Sequence, residues 1–287
     1  MTKISWVRTV LMAVALGTVG AAACGPVPGW AAGGLLQPGR RAVDPSLTAR
    51  YGSLNFDGDG VKLSGWRLPA RGASRGTVIY LHGVADNRAS SLGAARLTHR
   101  GFDLVAYDSR AHGDSGGTAC TYGFHEKQDL RRVIDAVGGD PILVIGSSLG
   151  AAVALQAAAE EPRIRAVIAA ESFSDLRTVA VERAPRFLTS GAMRKAFAIA
   201  EAQCRFQVDA VSPVLAAASI TVPVLLLHGA VDRETPPAHS QRIYAALQGP
   251  KRLVLVPGAG HNQALSDSTW PQIERWIDEM LPRPPSK

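Results

Sequence analysis

The sequence predicts an α/β protein: an open, mostly parallel eight-stranded sheet with helices on both faces and a small helical cap, in one domain over residues 51–287. Three observations carry this. From Tyr51 onward, short apolar runs alternate with helical patterns. The last six runs are nearly continuous Val, Ile and Leu, as in strands covered on both faces. The alternation breaks once, at residues 171–212, where helical pattern replaces strand and marks an insertion over one end of the sheet.

Residues 51–56 and 61–68 read as an antiparallel hairpin turning at Asp57-Gly58-Asp59-Gly60. Strands follow at 77–81, 104–108, 142–146, 166–170, 222–228 and 252–256. Helical patterns at 88–100, 124–137, 149–160, 238–247 and 269–281 supply the covering layers. With 46% hydrophobic and 19% charged residues, the 287-residue chain has ample core material and is not a disordered tail. Its net charge of +7 comes from Arg and Lys scattered singly or in pairs such as Arg40-Arg41 and Arg131-Arg132. A nucleic-acid binder would concentrate that charge in a patch with interleaved aromatics, so nucleic acid is excluded as a partner.

Residues 1–23 read as an export signal, with Lys3 and Arg8 ahead of an apolar stretch at 10–19 and small residues at Ala21-Ala22-Ala23. Together with Cys24 those alanines resemble a bacterial lipobox, in which the cysteine is lipidated and tethers the chain to a membrane. Ordinary cleavage after an A-x-A site is the alternative. An uncleaved anchor ranks last, because Pro26, Pro28 and Gly29 cut the apolar stretch below the roughly 20 residues that a spanning helix needs. Residues 24–50, rich in Pro and Gly, read as a linker. The expected location is outside the cytoplasm, periplasmic or membrane-anchored.

Open α/β sheets bind ligands at the carboxyl ends of their strands, so the loops there are where chemistry is sought. Gly113-Asp114-Ser115-Gly116-Gly117 and Gly146-Ser147-Ser148-Leu149-Gly150 both match G-x-S-x-G. Only Ser148 has a strand running into it and a helix leaving it, the sharp turn that lifts a hydroxyl above the sheet. Ser115 reads as a loop residue. A serine hydroxyl needs a neighbouring imidazole to take its proton, and the imidazole needs an orienting carboxylate. Asp232 and His261 each follow a strand by one short loop, in the chain order Ser, Asp, His. Glu171 and Asp175, after the strand at 166–170, are rival acids. His82 and His228 read as loop organisers, and His99, His125 and His239 as surface or helix-end residues. The backbone N–H of Leu149 is a candidate oxyanion donor. No metal-ligand spacing and no dinucleotide-binding glycine pattern occurs, so no metal and no cofactor is expected.

Five blocks in order, at Leu81-His82-Gly83, Asp108 to Ser115, Gly146 to Gly150, His228 to Asp232 and Gly258 to His261, resemble the α/β-hydrolase superfamily, and the likeness spans residues 51–281. It looks most like the serine hydrolase branch of small esterases, lipases and serine-aminopeptidase-like members. That resemblance implies a second oxyanion donor at Val84, directly after His82-Gly83, and departs from the family pattern at Ala111, where Gly is usual. It implies cleavage of a small-molecule carboxylic ester or thioester, with a peptidase or amidase as the alternative within enzymes and an inactive binding module on the same fold as the alternative outside them. A dehalogenase is disfavoured because that branch carries Asp where Ser148 stands. In the insertion, Met193, Phe197, Ala200 and Cys204 form an apolar stripe that packs the cap and roofs the nucleophile. Cys120 and Cys204, an even pair in an exported chain, are expected to form a disulfide tying cap to core.

Overall fold

The computed structural model describes residues 26–282; residues 1–23, read as an export signal, and Cys24, read as a lipidation site, lie outside the described residues. Eight strands form one sheet: β1 (Leu54–Asp57), β2 (Lys62–Leu68), β3 (Gly76–Leu81), β4 (Phe102–Tyr107), β5 (Ile142–Ser147), β6 (Ile164–Ala170), β7 (Val224–Gly229) and β8 (Lys251–Val256). Their order is β1-β2-β4-β3-β5-β6-β7-β8, with β2 antiparallel to both neighbours and the rest parallel. Register pairs Leu81 with Gly146, Gly146 with Ala169 and Ala170 with Leu227, so β3, β5, β6 and β7 finish along one rim.

Successive strand residues face opposite sides, which divides the core in two. Val78, Tyr80, Leu143 and Ile145 pack beneath α9 (Trp270–Met280), whose Trp270, Ile273, Trp276 and Ile277 recur at helical spacing. Ile79, Leu81 and Val144 pack on the other side, under α3 (Glu126–Val137) and α4 (Leu149–Ala158). Helix α4 is buried almost all round, and its alanines let it sit close against the sheet. Helices α7 (Pro213–Ala217) and α8 (Ala238–Ala246) complete that layer.

The segment at 88–100 is a 3₁₀ helix. Ser90, Ser91 and Thr98 hydroxyls each donate to the carbonyl three residues back, which competes with the i to i−4 ladder of an α-helix.

Residues read as a linker are folded. Helices α1 (Pro26–Leu36) and α2 (Pro45–Tyr51) pack on the domain, with Ala32 and Leu36 buried. The Cys120 amide donates to the Leu36 carbonyl at 2.8 Å and the Tyr122 hydroxyl to the Leu35 carbonyl at 2.9 Å. Asn87 Nδ2 holds the Arg41 and Ala42 carbonyls at 3.0 and 3.2 Å. Pro26 and Pro45 open their helices, where a missing N–H costs nothing, so this proline content punctuates helices instead of breaking them.

The insertion forms α5 (Leu176–Arg183) and α6 (Ser190–Cys204), and α6 lies against α1. Phe173, Met193, Phe197, Ala200 and Phe206 pack into the core, as the stripe predicts, whereas Phe187 is exposed. The expected disulfide is absent: Cys120 and Cys204 are both free. The C-terminal end of α1 covers the Cys120 loop, and Cys204 closes α6 with its carbonyl accepting from His125 Nε2 at 3.0 Å. Burial raises both thiols above their usual range, which keeps them protonated and unreactive. Reductant should leave the melting temperature unchanged, and both cysteines should alkylate in the denatured, unreduced protein; intact mass checks this.

Candidate active site

Ser148 stands between β5 and α4 with φ 49° and ψ −109°, a left-handed backbone that L-residues rarely occupy. Glycine on either side is a matter of space. A Cβ on Gly146 would lie 2.3 Å from the Gly150 backbone, and one on Gly150 would lie 2.2 Å from the Leu81 carbonyl oxygen. The Ser148 amide donates to the Ala170 carbonyl at 2.8 Å, which ties the turn to β6. The hydroxyl is thereby held at the rim, at 4% exposure.

The loops after β7 and β8 bring the other two residues to it. The Ser148 hydroxyl lies 3.0 Å from His261 Nε2, and His261 Nδ1 donates to Asp232 Oδ2 at 2.6 Å. Asp232 Oδ1 accepts the Glu234 and Thr235 amides, each at 2.9 Å. His228 lies beneath, its Nε2 donating to the Thr235 carbonyl at 2.7 Å and facing Asp232 Oδ2 at 3.4 Å. Burial alone would push the Asp232 carboxyl up, but the donors from His228 and His261 overcome it and hold the group well below the usual carboxylate range. Such an arrangement can draw a proton from a hydroxyl to an imidazole and stabilise the cation that forms.

Glu171 is not the acid facing this histidine. Its carboxylate is buried and accepts the amides of Asn262, Gln263 and Ala264 at 2.6, 3.0 and 2.9 Å, holding the backbone just after His261. Burial raises its carboxyl above the usual value. It is a positioning residue that sequence reasoning weighed only as a rival acid. Glu171→Gln replaces one acceptor oxygen with a donor facing amide hydrogens, and should lower kcat by about 10- to 100-fold, a size seen when an orienting partner is lost. Steady-state kinetics checks it; unchanged kcat would show that the loop holds itself. Asp175, the other rival, caps α5 by accepting the Thr178 amide at 2.8 Å.

Leu149 is the first residue of α4 and follows Ser148 directly. Val84 lies on the loop after β3, where a Cβ on Gly83 would be 3.6 Å from the Ser148 Cβ, so this backbone runs beside the hydroxyl. Among the described residues, neither amide has a protein acceptor. Ser115 is a loop residue: its buried hydroxyl donates to the Asp108 carbonyl at 2.5 Å and accepts the Ser64 amide at 2.9 Å. Ala111 adopts φ 61°, doing the work of the glycine it replaces. His82 bridges two loops, with Nδ1 donating to the Gly83 carbonyl at 2.7 Å and Nε2 accepting the Ser109 amide at 2.9 Å. His239, expected at a surface or helix end, is buried at the start of α8 and bonded to Ser174 and Glu182, because α5 folds over it. Among the described residues, no cluster of three or more His, Cys, Asp or Glu side chains is placed to hold a metal ion.

Comparison with known proteins places the fold in a family. Residues 76–193 match the family described as alpha/beta hydrolase fold, and residues 191–278 the one described as TAP-like protein. The uncharacterized protein YfhR of Escherichia coli strain K12 is 30% identical over 220 residues, covering 73% of this chain and 72% of its own. An uncharacterized protein of Mycobacterium tuberculosis strain H37Rv is 30% identical over 246 residues, covering 83% and 77%. Among solved structures, the Pyrococcus furiosus esterase Pf2001 superposes with a TM-score of 0.67 at 24% identity, over 86% of this chain and 98% of its own. The sheet with its helical layers is the α/β-hydrolase fold, and the chain belongs to the α/β-hydrolase family.

Proposed function

We propose that the protein is an exported serine hydrolase that cleaves carboxylic esters or thioesters of small molecules through an acyl-enzyme. The observation that carries this reading is the continuous path from the Ser148 hydroxyl through His261 to Asp232, at 3.0 and 2.6 Å. Ser148 Oγ attacks the substrate carbonyl carbon while its proton passes to His261 Nε2, and Asp232 stabilises the imidazolium. The carbonyl oxygen takes up the negative charge beside the Val84 and Leu149 amides, donors whose loss in such a site costs about 10²- to 10³-fold in rate. When the tetrahedral intermediate collapses, the carbon–oxygen or carbon–sulfur bond breaks and His261 gives its proton to the leaving group. Water then repeats the sequence, releases the acid and restores Ser148. No metal or cofactor enters any step.

Residues 1–23 as export signal and Cys24 as a lipidated tether belong to the same proposal, and peptide mapping of the exported protein checks both. Labelling with a fluorophosphonate probe tests the chemistry: the adduct should map to Ser148. A folded protein that takes no label would instead be a binding module on this fold.

A further inference from the structure

A cavity of about 360 Å³ opens between α1 and the cap helices α5 and α6, walled by residues such as Leu35, Leu176, Val179, Met193 and Phe197. Neither Ser148 nor His261 lines it, so it stands apart from the reacting centre. At its edge Trp30 of α1 is 37% exposed and Phe187 of the cap 63%, with ring centroids 6.4 Å apart. Val181, 51% exposed, lines a neighbouring depression that shares Arg186, Met193 and Phe197 with the cavity. Aromatic and apolar side chains standing in water around an apolar opening mark an interaction surface.

Charge selects among partners. Arg186 and Arg194 line the same depression, are exposed, and among the described residues have no carboxylate partner. The other charges there are occupied: Arg177 pairs with Asp209 at 2.9 Å, and Glu182 accepts from His239 Nε2 at 2.8 Å. The chain as a whole carries +7. An occupant of this face is therefore apolar at its centre and anionic at its rim.

The chain itself brings such an occupant near. The apolar stretch 10–19 and Cys24 precede Pro26, the first residue of α1, one helical turn ahead of Trp30. On the proposed reading of Cys24 as a lipidated tether, an acyl chain attached there would enter a bilayer within a few residues of this face. One lipid chain holds a protein only marginally, and a basic patch supplies the second signal.

We propose that the face formed by α1 and the cap docks on an anionic phospholipid bilayer, with Trp30 and Phe187 at the interface, Arg186 and Arg194 on the headgroup phosphates, and one lipid acyl chain entering the cavity. The cavity falls within the size range of ligand pockets, about 300–1,000 Å³. This goes beyond the hydrolase chemistry, and it rests on the proposed export and tethering of the chain at residues 1–24.

The full chain, incubated with phosphatidylcholine vesicles with and without phosphatidylglycerol, tests the proposal. Arg186→Gln with Arg194→Gln should weaken partitioning onto the phosphatidylglycerol vesicles by about 25-fold, each cation near such a surface being worth about fivefold. Phe187→Ser should weaken it on both vesicle types. In a Trp6→Phe background, which removes the tryptophan of the N-terminal segment, quenching by lipids brominated along the acyl chain should fall in Trp30→Phe. Fluorophosphonate labelling of Ser148 in each variant reports that the fold is intact, and failure of the unaltered chain to label would count against the hydrolase reading alone. Equal partitioning of the double variant and the unaltered chain, or quenching that survives Trp30→Phe, would overturn the proposal and leave residues 1–25 as the sole membrane contact.

Discussion

Ser148→Ala should reduce hydrolysis of a short p-nitrophenyl ester by about 10⁵- to 10⁶-fold, the size of loss when the nucleophile of such a unit is removed. The fold should survive, because the Ser148 hydroxyl bonds only to His261 and the strained backbone at φ 49° is no harder for alanine than for serine. Ser115→Ala gives the opposite pair of results. Its hydroxyl serves the Asp108 carbonyl and the Ser64 amide in the interior, so activity should persist while stability falls by about 1–3 kcal/mol, the cost of buried groups left unpaired. Steady-state rates and thermal melts of the two variants side by side separate the roles. Retained activity in Ser148→Ala would end the assignment.

Asp232→Asn should lower kcat by about 10⁴-fold, since an amide in that place can present its N–H to the ring and turn His261 into the wrong tautomer. His261→Ala should cost at least about 10³-fold. The pH profile follows from the same geometry. A carboxyl whose folded value is depressed stays ionised until the pH falls through that low value, so Asp232 keeps its charge throughout the range in which an imidazole changes its own. On the acid side, kcat/KM should therefore rise with pH with a slope of about 1, Asp232 contributing no second proton in that range. A slope near 2 would bring in a second group, for which the raised carboxyl of Glu171, holding the His261 loop, is the nearest candidate.

What the sequence could say about this site was local. A strand, a tight turn and a helix are contiguous, so the apolar run before Gly146 and the alanines after Gly150 placed Ser148 before any partner was known. Asp232 and His261 were readable for the same reason, each being one short loop beyond an apolar run that reads as a strand, the fully buried β7 and the partly exposed edge strand β8. The central strands followed from composition, because burial on both faces leaves little choice of side chain, and the edge strands β1 and β8 from apolar runs bounded by turn residues.

Other features depend on which distant segments meet, and no periodicity records that. Glu171 serves amides more than 90 positions away, and its sequence neighbourhood is equally consistent with an acid that faces the histidine directly. Residues 26–51 carry too many Pro and Gly to look helical by propensity, and they fold because Ala32 and Leu36 find an apolar seat against the cap and core. The cysteines follow the same lesson: counting predicted a bond between cap and core, but both thiols are free, and the Cys120 loop is instead tied to α1 by its amide bond to the Leu36 carbonyl. Local pattern thus determined the sheet and the three residues on its rim. Tertiary packing alone decided what braces the histidine loop and what closes the cap, because those contacts join segments whose encounter is set by the whole core.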